Sequence, residues 1–272
     1  MIQDFKDKVA VITGGAHGIG YSMTRNFLDL GMKVVITASR QASLDEAAAK
    51  LNGGDNLLTA LSDAGDPEAN FALARLVEDR FGKVNLLCLN AGISKLASIQ
   101  ELSIESWRQQ LAVNLDGPFY GVKAFLPLLE KQEQAHIVIT SSIFSFFSTA
   151  LQAPYFASKA GVTAFAESLH YDLMAAESNV GVTVVCPGNT STNMAEANLT
   201  GNEDPALAEA IRAEIAKGDD PQLVTDATLK AIRENRFYVL PNTGDFQICI
   251  EARYERVMAQ RNPSWEDLGE AI

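Results

Sequence analysis

The chain has 272 residues, 47% hydrophobic and 21% charged, which suits one α/β domain with a sizeable core. Its formal net charge of -12 repels phosphate backbones and anionic lipid, so neither nucleic acid nor a membrane is an expected partner. Three cysteines without CxxC spacing argue against a disulfide framework or a zinc site; no metal is expected, and with no signal peptide and no apolar run of roughly 18 residues the cytoplasm is the expected compartment.

Short β-rich runs alternate with longer helical patterns. KVAVIT (8–13) is the first strand, and GIGYSMTRNFLDLG follows as a helix with Met23, Phe27 and Leu30 at helical spacing. KVVIT (33–37), NLLTAL (56–61), VNLLCL (84–89), HIVIT (136–140), GVTVVC (181–186) and RFYVLP (236–241) are the remaining strands. Helices are expected over 43–51, over 66–82 between Pro67 and Gly82, over about 103–130, and from near Tyr155. Cys88 and Cys186 end apolar runs and are expected to be buried thiols. Strands that are continuous apolar runs have both faces covered. The pattern predicts a single doubly wound Rossmann-type α/β domain over 1–272. Its parallel sheet has about seven strands, with helices on both faces. The polar stretch 189–220 breaks the rhythm and is expected to be a lid-like insertion; 244–272 is a C-terminal helical extension whose helix, 244–262, packs at a substrate mouth or a subunit contact.

TGGAHGIG (13–20) joins the first strand to the first helix. Gly14, Gly18 and Gly20 leave room for a pyrophosphate to approach the backbone, and the helix N-terminus supplies N–H donors. The spacing is Gly-x-x-x-Gly-x-Gly, not the common Gly-x-Gly-x-x-Gly fingerprint. At the end of the second strand, where an acid would hold the ribose hydroxyls of NAD, stand Ala38, Ser39 and Arg40. A serine and an arginine suit a 2′-phosphate instead, so NADP(H) is expected over NAD(H), with His17 a further candidate contact.

PYFASKAG (154–161) sets Tyr155 and Lys159 four positions apart on one helical face. A free phenol titrates near pH 10, too high for acid/base work at neutral pH. An ammonium about 5 Å away, at an effective dielectric near 20, supplies about 3 kcal/mol, enough to lower it by roughly two units. His136 and His170 have no metal-ligand companions and are read as structural.

In order along the chain, these motifs resemble the short-chain dehydrogenase/reductase family from about residue 5 to residue 194. TGGAHGIG looks like the cofactor turn, placing Gly14, His17, Gly18, Ile19 and Gly20 at the dinucleotide. LSDAGDPE resembles the segment whose aspartate, here Asp63, contacts the adenine. LNAG (89–92) is similar to the family's Asn-Asn-Ala-Gly, with Leu89 in place of the first asparagine and Asn90, Ala91 and Gly92 retained. PGNTSTNM brings Pro187, Gly188 and Thr192, the last at the nicotinamide amide. The resemblance implies a catalytic set of Asn114, Ser142, Tyr155 and Lys159, with Ser142 thirteen residues before Tyr155 as the family has it. Tyr155 would pass the proton, Ser142 would orient the substrate oxygen, and Lys159 would hold the nicotinamide ribose and depress the tyrosine pKa. Asn114 would mark a disturbed helix. The resemblance also implies a homodimer or homotetramer paired through helices around 103–130 and 155–176.

STNMAEA and FYVLPNTGDF are similar to a branch containing bacterial Cα-dehydrogenases of lignin-derived aryl alcohols; that branch commonly carries an acid after the second strand, and this chain does not. The expected activity is NADP(H)-linked interconversion of a secondary alcohol and a ketone or aldehyde. An NAD-linked alcohol dehydrogenase and a non-catalytic NADP(H)-binding sensor are the alternatives. The small-molecule substrate is expected to be bulky and apolar, since no arginine or lysine lies between Ser142 and Tyr155. Phe144, Leu151 and Met194 are the candidate pocket residues. Strand-like alternation would send Phe144 and Phe146 to the side of Ser142.

Overall fold

The protein's structure, a computed structural model, describes residues 2–192, 194, 209, 212–213, 216–244 and 246–268. Seven strands form one sheet in the order β3-β2-β1-β4-β5-β6-β7, every pairing parallel. They are β1 (Val9–Thr13), β2 (Lys33–Ala38), β3 (Leu57–Leu61), β4 (Leu86–Leu89), β5 (Ala135–Thr140), β6 (Val180–Val185) and β7 (Tyr238–Val239). The helices are α1 (Gly18–Asp29), α2 (Gln41–Leu51), α3 (Pro67–Phe81), α4 (Ile104–Leu111), α5 (Gly117–Leu129), α6 (Ala153–Ala175), α7 (Pro221–Glu234) and α8 (Phe246–Met258).

Strand alternation divides the core. On β1, Val9 and Val11 face a cluster completed by Leu73 and Val77 of α3, Phe125 of α5 and Val162 and Leu169 of α6. Ala10 and Ile12 face the opposite cluster, with Met23 and Phe27 of α1, Leu44 of α2 and Val224 and Ile232 of α7. A strand covered on both faces has no polar side to show, hence the unbroken apolar runs. Sequence order reverses between β1 and β4, which stay paired as far as Thr13 and Leu89, so the connections leaving their C-terminal ends run to opposite faces of the sheet and leave a crevice, the usual ligand position in such sheets.

Local signals set most boundaries. Asp66 accepts from Glu68 N at the start of α3, Pro67 follows it, and Gly82 closes the helix at φ 68°. Asp220 and Pro221 start α7 in the same way. The expected helix over 103–130 is not continuous: Ala112–Asp116 between α4 and α5 is one π-helical turn, and Asn114 lies in it. β7 holds only two of the six residues expected for the last strand. Of the expected lid, residues 193, 195–208, 210–211 and 214–215 lie outside the described residues. Within the segments where subunit pairing is expected, Phe119 on α5 and Tyr171 and Met174 on α6 are exposed. Among the described residues no helix is long and apolar enough to cross a membrane.

His136 on β5 is fully buried, with Nε2 2.7 Å from Thr183 Oγ1. The Thr183 hydroxyl donates to Arg236 O, so Nε2 carries the imidazole proton and Nδ1 is left without a partner. Burial pushes this histidine down to about 3, from 6.5 when exposed. The native state therefore keeps it neutral while the unfolded chain takes up a proton below pH 6.5, and stability is lost as pH falls through that window. Between pH 6.5 and 5 this group is expected to cost about 2 kcal/mol. Urea midpoints at pH 7 and 5 should show the loss, and His136→Gln, which retains a donor to Thr183, should show a smaller one. An equal loss in both proteins would reject the assignment.

Candidate active site

The turn after β1 is held from within. Thr13 Oγ1 accepts from Asn90 N and Ala91 N at 3.0 and 3.1 Å, and Asn90 Nδ2 donates to Thr13 O and Gly14 O. Gly14 and Gly18 have φ of 65° and 51°. A Cβ on Gly20 would stand 2.2 Å from Gly14 O and 2.6 Å from Asn90 Nδ2, so α1 can pack on the turn only as glycine there. A Cβ on Gly18 would meet Thr192 Cγ2 at 2.9 Å, which puts Thr192 directly over the turn. Leu89, in place of the family's asparagine, is buried and sits where Gly121 of α5 leaves it room; a Cβ there would be 2.4 Å from Leu89 Cδ2.

From the C-terminal ends of β1, β4, β5 and β6 opens a cavity of about 1500 Å³. Of the predicted cofactor residues, Gly14, His17, Gly18, Ile19, Ser39, Arg40, Asp63, Asn90, Ala91, Gly92, Pro187, Gly188 and Thr192 line it. So do Ser142, Tyr155 and Lys159, together with Phe144, Leu151 and Met194. Gly20 and Asn114 do not. Gly20 is buried behind the turn, and Asn114 is 1% exposed behind the wall. Asn114 Oδ1 accepts from Ile93 N at 2.8 Å, while its Nδ2 donates to Ile93 O and to Ser158 Oγ. Ser158 Oγ in turn donates to Tyr155 O, so Asn114 ties the loop after β4 to the first turns of α6.

Lys159 is 3% exposed, and its Nζ donates to Thr140 O at 2.9 Å. It lies 5.6 Å from the centre of the Tyr155 ring, close to the separation assumed from sequence. The expected lowering of the phenol is nonetheless not found. Burial dominates and pushes Tyr155 up, and the nearby Ser142 hydroxyl, which favours the phenolate, only opposes this. Burial also brings Lys159 down to about 8. The cost of taking both groups out of water outweighs the attraction between them.

The alternation expected after Ser142 also fails. Ile143–Ser145 is a 3₁₀ turn in which Phe144 N donates to Ser142 Oγ. Phe144 still faces the cavity, its ring 6.4 Å from that of Tyr155 and 5.8 Å from that of Phe246. Phe146 turns away to Tyr238 of β7, and Phe147 is buried against Phe246. Phe246 was not singled out from sequence, although its segment was expected at the substrate mouth; it opens α8 and lines the cavity. Ser94, Gln152 and Thr140 line it as well, and nothing in their local sequence marks them.

A dinucleotide-sized cleft at the switch point of a parallel sheet, with a phenol, a hydroxyl and an ammonium at one end, defines an oxidoreductase of the Rossmann class. Residues 8–203 match the sequence model for short chain dehydrogenases, and the chain belongs to that family. It is 35% identical over 206 residues to the NADP-dependent (R)-specific alcohol dehydrogenase of Lentilactobacillus kefiri, covering 75% of this chain and 81% of that one. To the C alpha-dehydrogenase of Sphingobium sp. (strain NBRC 103272 / SYK-6) it is 30% identical over 255 residues, covering 88% and 82%. A short-chain dehydrogenase/reductase from Burkholderia phymatum, solved in complex with NAD, superimposes with a TM-score of 0.89 at 30% identity, covering 97% of this chain and 98% of that one.

Proposed function

We propose that the protein is an NADP(H)-preferring oxidoreductase that interconverts a secondary alcohol and a ketone (or aldehyde) on a bulky apolar substrate. The observation that carries this is that Ser142, Tyr155 and Lys159 line one cavity together with Phe144, Leu151, Met194 and Phe246 and with the Gly14 and Gly18 turn. The residues present fit a phosphorylated dinucleotide. His17 Nε2 is buried with no partner, and the same region of the cavity holds Ser39 and Arg40 and has no acid at the end of β2. When bound, such a cofactor supplies or accepts the hydride.

The protein's part is proton transfer and position. Burial keeps Tyr155 protonated at neutral pH, the state that donates to a carbonyl oxygen becoming an alkoxide. Ser142 holds that oxygen beside the phenol. Lys159, anchored by Thr140 O, presents its ammonium to the ribose hydroxyls and to the developing charge. A set of groups committed to moving a proton distinguishes this reading from a cofactor-binding sensor. The test is NADPH oxidation with a panel of aryl and cyclic ketones, keto acids and sugar phosphates; a preference for the charged substrates would reject the apolar pocket.

The relative named NADP-dependent supports the cofactor preference. Two observations favour the NAD-linked alternative: the Burkholderia phymatum neighbour was solved in complex with NAD, and Glu46 of α2 lines the cavity with Ser39 and Arg40, where a carboxylate would suit ribose hydroxyls. Lys50 pairs with it at 2.7 Å, so the two charges sum to zero and Arg40 carries the net charge beside them. NADPH is therefore expected to bind more tightly than NADH, and Arg40→Ala to erase most of the difference, up to about 1.5 kcal/mol for an exposed charge-assisted contact. Titration of both cofactors into both proteins checks this; tighter NADH binding by the wild type would favour the alternative.

A further inference from the structure

Leu151 has a backbone φ of 67°. In that left-handed region the Cβ of an L-residue crowds the next carbonyl oxygen; glycine escapes the clash, and short polar side chains offset it with local hydrogen bonds. Leucine can do neither. The other non-glycine residues at positive φ among those described are Asp7, Asn52, Glu177, Asn235 and Gln260, all polar. Core packing does not compensate either, because Leu151 is 47% exposed.

The surrounding backbone enforces the conformation. Ala97 N donates to Leu151 O at 2.8 Å, joining the loop after β4 to the loop before α6. One residue on, Gln152 Nε2 donates to Ser94 Oγ across the same junction. α6 begins at Ala153 with Pro154 in its first turn, so the chain has little room to relax before Tyr155. The leucine side chain lines the cavity with Phe144, Met194 and Phe246, four positions ahead of the phenol.

We infer that Leu151 is a specificity-determining residue, kept in a strained backbone so that its side chain forms an apolar wall against the non-reacting substituent of the substrate. Strain of this kind persists where the surroundings over-determine it, and it collects at functional sites. The inference rests on the proposed function in placing the substrate at this end of the cavity. The ligand class it selects is a ketone or alcohol whose larger substituent is an uncharged aryl or branched alkyl group.

Two variants separate strain from contact. Leu151→Gly removes both the side chain and the clash; Leu151→Ala removes the side chain and keeps a Cβ at positive φ. Both should lower kcat/KM for acetophenone at least fivefold more than for acetone, since losing apolar contact in a pocket commonly costs tenfold or more. Only Leu151→Gly should raise Tm, by about 2 °C, the gain being limited by the extra freedom of glycine in the unfolded chain. An unchanged acetophenone-to-acetone ratio, or equal losses on both ketones, would overturn the specificity role. A Leu151→Gly protein no more stable than Leu151→Ala would overturn the strain. Ligand-observed NMR of acetophenone and acetone binding gives the same comparison without turnover. A wild type that binds acetophenone but reduces no ketone with either cofactor would therefore count against the proposed function alone, and the variants' binding ratio would still decide the role of Leu151.

Discussion

Tyr155→Phe is expected to lower kcat by about 10²–10⁴-fold, the usual worth of a positioned proton donor, with little change in NADPH affinity. Phenylalanine keeps the ring in its place against Phe144 and Phe156, whose centroids lie 6.4 Å away, so packing is preserved. What is lost is the hydroxyl, the group proposed to face the substrate oxygen beside Ser142. Steady-state rates together with direct cofactor titration separate chemistry from binding. A variant with wild-type kcat would remove Tyr155 from the proton path, and a variant with normal kcat but weak NADPH binding would assign it to the cofactor.

Lys159→Met should damage both quantities, lowering kcat and weakening NADPH binding by about tenfold or more, because one ammonium is proposed to hold the ribose and to face the reacting oxygen. Its pH dependence runs in two directions. Burial sets the folded value at about 8, below the 10.5 of an exposed lysine. Between pH 8 and 10.5 the unfolded chain binds the extra proton, so stability contributed through this lysine is complete above 10.5 and is lost as pH falls through 8. Cofactor affinity requires the ammonium and falls as pH rises through about 8. Urea midpoints and NADPH titrations at pH 7 and 10 should therefore show wild type gaining stability relative to Lys159→Met while losing affinity. A wild type that loses ground in stability at pH 10 would mean that Lys159 is not a desolvated cation in the native state.

The hydrophobic pattern and a few local motifs by themselves determined the parallel sheet, the turn after β1 and the pairing of Tyr155 with Lys159. Each depends on neighbours within a few residues. Val9 and Val11 can face one layer and Ala10 and Ile12 the other because strand side chains alternate. Pro67 and Gly82 mark the ends of α3 through backbone preferences that need no partner elsewhere. Family resemblance attaches the disturbed helix to Asn114, and the π turn lies there, but the partner that Asn114 meets, Ile93, stands on a separate loop that no local pattern points to.

Only the tertiary structure decided the rest. Phe144 faces the cavity and Phe146 does not because Pro187 O takes Ile143 N and the chain turns as a 3₁₀ helix. Phe246 reaches the mouth from the far end of the sequence. Tyr155 is raised, against the sequence-based expectation, because desolvation sums over every group around a side chain, and no spacing of two residues contains that sum. Leu151 is held in a left-handed backbone that its own side chain disfavours, by a hydrogen bond from Ala97, so its conformation is set by the packing of two loops that meet only when the sheet is assembled.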